Sequence, residues 1–73
     1  MDTNEMIDRV LEIQKAIFMN TATDAQKTHG NQLLVSLRRR GVTLRITTIV
    51  AGKSRLIEVL DGGRVIQDVE LDR

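Results

Sequence analysis

The apolar residues of this chain change their spacing once, at Arg40–Gly41, and that change constrains the fold more than any other feature. Before the junction, Met6, Val10, Ile13 and Ile17 fall on one stripe, with Ile7, Leu11 and Phe18 beside it. That is the three-and-four spacing of a helix that buries one face. After the junction, Val42, Leu44 and Ile46 alternate with Thr43, Arg45 and Thr47, the period of a half-buried strand rich in β-branched residues. "RLIEVL" (55–60) and "RVIQDVEL" (64–71) continue in the same manner, with Val65, Val69 and Leu71 on one face and Ile66, Asp68 and Glu70 opposite. The links "AGKS" and "DGG" are short enough to force antiparallel neighbours. The spacing therefore predicts an α+β domain spanning 1–73. It comprises an N-terminal amphipathic helix, a short second helix or first strand ending near Arg40, and a three-stranded antiparallel meander. Such a meander with one apolar face needs a cover, and the N-terminal helix fits that need.

Asp2, Thr3 or Asn4 can each cap the first helix, and Asp2 with Glu5 has the spacing of a capping box. "NTATDAQKTHGN" (20–31) is polar and reads as a loop, or as a poorly formed helical turn starting at Thr23 with Gln26 at capping-box spacing. "QLLVSLRRRG" follows. As a helix it stacks Leu33, Leu34 and Leu37, and Asn31 offers an N-cap. Arg38, Arg39 and Arg40 then meet the negative end of the helix dipole, and Gly41 supplies a left-handed residue just past the end. As a strand it alternates Leu33, Val35 and Leu37 into a hairpin at Arg40–Gly41, a pair that hairpins do not prefer. Helix propensity favours the first form. Both place Gly41 at positive φ.

A chain of 73 residues buries only roughly 60% of the surface its unfolded form exposes. Domains this small find support in disulfides, metals or partner subunits. Cysteine is absent and His29 is the lone histidine, which removes disulfides and thiolate metal sites. A wide stripe formed by Met6, Ile7, Val10, Leu11, Ile13, Ile17 and Phe18 exceeds what one small sheet covers. Either a partner chain or the chain's own second helix claims the remainder. The expectation is a homo-oligomer, with a dimer favoured and those seven residues as its candidate interface. No run of about 20 apolar residues exists for a membrane span, and the polar start "MDTNEMID" does not read as a signal peptide. The cytoplasm is then the default compartment.

Catalytic and cofactor motifs do not fit. Gly52-Lys53-Ser54 matches the tail of a phosphate-binding loop, but the glycine required five residues earlier is Thr47, within a strand. "DGGR" between two apolar runs reads as a hairpin turn, with Gly63 as a bulge beside it. Acidic residues sit in patterns suited to solvated faces, and His29 lies in the polar link. No enzyme activity, cofactor or metal is expected.

Charge is the most informative feature that remains. No acidic residue lies between Ala25 and Ile57, while Lys27, Arg38, Arg39, Arg40, Arg45, Lys53 and Arg55 all do. Five acids stand on each side, so the net charge of +1 conceals an acidic–basic–acidic chain. Either the flanks neutralise the middle, or Arg38, Arg39, Arg40, Arg45, Lys53 and Arg55 hold nucleic-acid phosphates. The stacking aromatics of single-strand binders are absent, since Phe18 stands alone. "LLVSLRRRGVTLRI" (33–46), a helix ending in arginines that runs into an alternating strand, resembles the opening of Sm-like RNA-binding proteins. That resemblance implies RNA contact and a five-stranded sheet, for which the residues after Gly41 suffice for three or four strands. The expected function is a small non-enzymatic protein-interaction module that self-associates. The alternative is a nucleic-acid-binding regulator using the basic 38–55 region.

Overall fold

A computed structural model describes residues 1–73 and has two helices followed by a three-stranded antiparallel sheet, an α+β arrangement. The chain divides into two compact units, Met1–Arg40 and Gly41–Arg73.

The helical unit begins with α1 (Thr3–Phe18). Asp2 is the N-cap: its Oδ1 accepts from the Glu5 backbone N–H at 2.8 Å. That hydrogen bond is the largest cause holding the Asp2 carboxyl below its ordinary pKa. The far end of α1 closes as a Schellman motif. Thr21 N–H donates to Ala16 C=O at 2.8 Å and Asn20 N–H to Ile17 C=O at 3.1 Å, with Asn20 at φ 59°. Asparagine is the commonest residue after glycine to accept that left-handed position.

The second helix, α2 (Asp24–Arg39), is longer than the sequence suggests and takes in most of the polar stretch read as a link. The capping box decides its start. Gln26 N–H donates to Thr23 Oγ1 at 3.1 Å, and Thr23 N–H donates to Gln26 Oε1 at 2.8 Å. Asn31 lies within the helix, and the strand alternative for 33–40 is excluded. Gly30, Leu33 and Leu37 form the buried stripe of α2, which packs against α1. At Gly30 the two helices come so close that a Cβ there would lie 3.0 Å from Ile13 Cγ2. A glycine that looked like a loop residue is the point of closest approach. Arg40 caps α2, and Gly41 follows at φ 80°, in the expected left-handed region.

The sheet unit has the order β1-β2-β3, formed by β1 (Val42–Val50), β2 (Ser54–Asp61) and β3 (Arg64–Asp72). Three strands follow Gly41, short of the five an Sm-like chain requires. Cross-strand register gathers Val42, Leu44, Ile46, Ile57, Val59, Val69 and Leu71 on one face. Of these, Val42, Ile57, Val59 and Leu71 are buried. Thr43, Arg45, Thr47, Leu56, Glu58, Leu60, Asp68 and Glu70 share the other.

Two bulges depart from strict alternation. Val59 pairs with Gln67 but Leu60 with Val65, which leaves Ile66 as an extra residue. An inserted residue reverses the side-chain alternation beyond it. Val65 therefore joins the face of Leu60, not that of Val69 as plain alternation predicts. Similarly, Thr48 pairs with Arg55 and Val50 with Ser54, leaving Ile49 as the extra residue of β1. The β2–β3 connection is the two-residue loop Gly62–Gly63, with φ of 60° and 84°, the signature of the hairpin turn that demands glycine. The bulge stands at Ile66 and not at Gly63.

Candidate functional site

The six basic residues proposed for phosphate contact divide between the two units, with Arg38, Arg39 and Arg40 in the helical unit and Arg45, Lys53 and Arg55 in the sheet unit. Arg38 and Arg39 form the last turn of α2, where positive charge complements the helix dipole. Arg40, the C-cap, donates from Nη1 to Thr3 Oγ1 at 2.9 Å. All three are exposed. Lys53 is exposed in the β1–β2 turn. The Gly52-Lys53-Ser54 stretch belongs to this hairpin, with β1 continuing to Val50, so the backbone that a phosphate cradle requires is committed to the sheet.

Arg45 and Arg55 lie on opposite faces of the sheet. Arg45 sits across from Glu58, whereas Arg55 sits across from Thr48 and Leu71. The Arg45 side chain is already engaged: Nε donates to Glu58 Oε1 at 2.9 Å and Nη2 to Oε2 at 3.1 Å. This two-point contact is the largest cause that raises the Arg45 pKa and lowers that of Glu58. A carboxylate held ionised by a guanidinium is poorly suited to take a proton as a general base. It also shows one basic residue of the middle segment neutralised by an acid of the C-terminal flank.

Five of the seven residues of the candidate interface are placed in the core. Met6, Ile7, Val10, Ile13 and Phe18 are buried within a single chain, and Leu11 and Ile17 are half-buried. Little of that stripe is left for a second chain. The apolar surface that does face solvent lies elsewhere. Ile46, Ile49 and Val50 of β1 are 46%, 51% and 50% exposed, and Val65 and Ile66 of β3 are comparably open. Sequence reasoning missed this set because plain alternation assigns Ile46 to a buried face and takes no account of the bulges at Ile49 and Ile66.

His29 is exposed on α2. No group of three or more His, Cys, Asp or Glu side chains is placed to hold a metal ion. No helix is long and apolar enough to cross a membrane. No protein-family model, curated protein or solved structure matches this chain.

Proposed function

We propose that this chain is a small, non-enzymatic interaction module that works by self-association, with a dimer as its simplest form. The observation that carries the reading is the exposed apolar set on the two outer strands: Ile46, Ile49 and Val50 on β1, Val65 and Ile66 on β3. Ile46, Ile49 and Val50 group on a single outer strand, exposed apolar groups of this kind mark interaction surfaces, and outer strands are where a further chain joins a sheet. Small size without disulfide or thiolate support adds to the case. Static light scattering from low to high micromolar protein, together with melting at each concentration, tests it. Association predicts a mass above 8.2 kDa and a melting temperature that rises with concentration. A monomer mass throughout, with a constant melting temperature, overturns it.

The second reading, nucleic-acid binding, is favoured by the run of exposed charge at Arg38, Arg39 and Arg40. It is weakened by the Arg45–Glu58 pair and by the opposite faces that Arg45 and Arg55 occupy. Replacing Arg38, Arg39 and Arg40 together by Gln separates the two. Under the module reading the triple variant loses only roughly 0.3–1 kcal/mol of folding stability per residue, from the weaker helix end. Under the nucleic-acid reading it folds normally and loses affinity for every sequence. The slope of log K against log salt then shrinks by roughly 0.7–0.9 per lost phosphate contact, as fluorescence anisotropy would measure.

A further inference from the structure

We infer that the free edge of β1 is the self-association surface, and that it pairs antiparallel with the same edge of a second copy about a two-fold axis at Ile46. The inference rests on the self-association reading above and goes further by naming the strand, the register and the occupant.

The backbone supplies the first argument. Gly62 N–H donates to Gly41 C=O at 3.0 Å, which makes Gly41 and Gly62 a hydrogen-bonded pair at the start of the β1–β2 ladder. Such pairs alternate along an antiparallel ladder. Thr43, Arg45 and Thr47 therefore direct their N–H and C=O groups to β2. Val42, Leu44, Ile46 and Thr48 direct theirs to the open edge, since no strand lies beyond β1. The bulge at Ile49 ends the regular edge after Thr48. Pairing centred on Ile46 sets Ile46 opposite Ile46 of the second copy and Leu44 opposite its Thr48. Arg45 then faces the second copy's Thr47. A register one residue earlier would set Arg45 against Arg45, and like charges directly opposite oppose pairing.

Charge supplies the second argument and selects the occupant. β1 carries one charged side chain, Arg45, which Glu58 already neutralises. Natural sheets guard their edges with charge, and β1 is unguarded. The outer edge of β3 is guarded. By the same alternation it presents Asp68, Glu70 and Asp72, so self-pairing near its middle would set carboxylates opposite one another. Joining β1 of one copy to β3 of another would be heterologous and would leave a β1 edge open at the end of each chain of copies, a path to filaments. Pairing β1 with β1 closes at two copies, leaves the β3 edges outside, and makes one six-stranded sheet in which the two Ile46 side chains stand side by side.

The chain contains no cysteine, so a single introduced thiol reports the geometry directly. In the proposed register, residue 46 of one copy and residue 46 of the other form a hydrogen-bonded pair about 5.5 Å apart at Cα, within disulfide reach. Ile46→Cys under mild oxidation should give a cross-linked dimer on a non-reducing gel, while Val65→Cys on β3 should remain monomeric on that gel. Ile46→Lys sets like charges together at the axis and should raise the dimer dissociation constant on the order of 100-fold, with an unchanged circular dichroism spectrum. If Ile46→Lys fails to fold, cross-linking of Ile46→Cys decides. A wild-type oligomer that persists in folded Ile46→Lys, or that leaves Ile46→Cys uncross-linked, overturns the edge assignment while self-association stands. Cross-linking of Val65→Cys as efficient as that of Ile46→Cys overturns it as well. A wild type that is monomeric at every concentration overturns self-association itself, and the β1 edge with it.

Discussion

Gly30→Ala sets two effects of known sign against each other. In an exposed helix the change should stabilise by about 1 kcal/mol, because glycine is the poorer helix former. Here the new Cβ would lie 3.0 Å from Ile13 Cγ2, while carbon atoms in contact settle at about 3.5–4.0 Å. Ile13 is buried, and its Cγ2 is bonded directly to a branched Cβ whose χ1 has one strongly preferred rotamer in a helix. The methyl has no easy way to swing aside, so α1 and α2 must separate by about half an ångström. Overpacking of this kind costs about 1–3 kcal/mol. The net expectation is destabilisation by about 0–2 kcal/mol. Each kcal/mol lowers the melting temperature of a domain this size by roughly 4–8 °C. Urea unfolding followed by circular dichroism, at one fixed protein concentration, measures it. Ile13→Ala on its own should cost about 2–5 kcal/mol as a cavity. In that background the atom remaining at residue 13, its Cβ, lies 3.7 Å from the new Cβ, an ordinary contact, and Gly30→Ala should become stabilising. Stabilisation of about 1 kcal/mol in both backgrounds would refute the close approach of the helices at Gly30.

Three further outcomes follow from the local geometry. Gly41→Val should cost on the order of 1 kcal/mol or more, measured by the same melts. The φ of 80° strains a β-branched residue, although the space is open, the nearest atom to a Cβ being Asp61 Oδ1 at 3.8 Å. Thr23→Ala removes the hydroxyl half of the α2 capping box and should cost about 1 kcal/mol, read as lost stability and as faster amide hydrogen exchange in the first turn of α2. For Glu58, a folded-state pKa below its ordinary value of 4.5 means that the Arg45 pair contributes stability above the unfolded pKa and loses it as pH falls through the folded one. Glu58→Gln should therefore weaken the protein slightly at neutral pH and flatten its acid limb. Denaturation curves should differ less from the wild type below the carboxylate range than above it, and a difference that grows on acidification would refute the pair's contribution.

The alternation of Val42, Leu44 and Ile46, the spacing of Met6 to Phe18 and the glycines at 41, 62 and 63 were enough to determine two element types, their junction and both hairpins. These features are local. Periodicity reports which face is apolar, and a glycine at positive φ reports a turn, without reference to anything distant in the chain. The start of α2 was also written locally, in Thr23 and Gln26, but its polar first half gave no apolar period to follow. What only the tertiary structure decided depends on residues far apart in sequence. Gly30 is a contact because Ile13 stands across from it on another helix. Arg45 is neutralised because strand register brings Glu58 opposite, and the bulges at Ile49 and Ile66 change the pairing elsewhere along the strands in ways no spacing rule foretells. The wide stripe of α1 illustrates the limit best. Its sequence states that the stripe must be covered, whereas only the fold shows that Met6, Ile7, Val10, Ile13 and Phe18 are already buried within one chain, while Ile46, Ile49 and Val50 on β1, Val65 and Ile66 on β3 and Val35 on α2 stay exposed. Burial is a property of the whole packed molecule, because the area a side chain loses to water depends on every group brought against it.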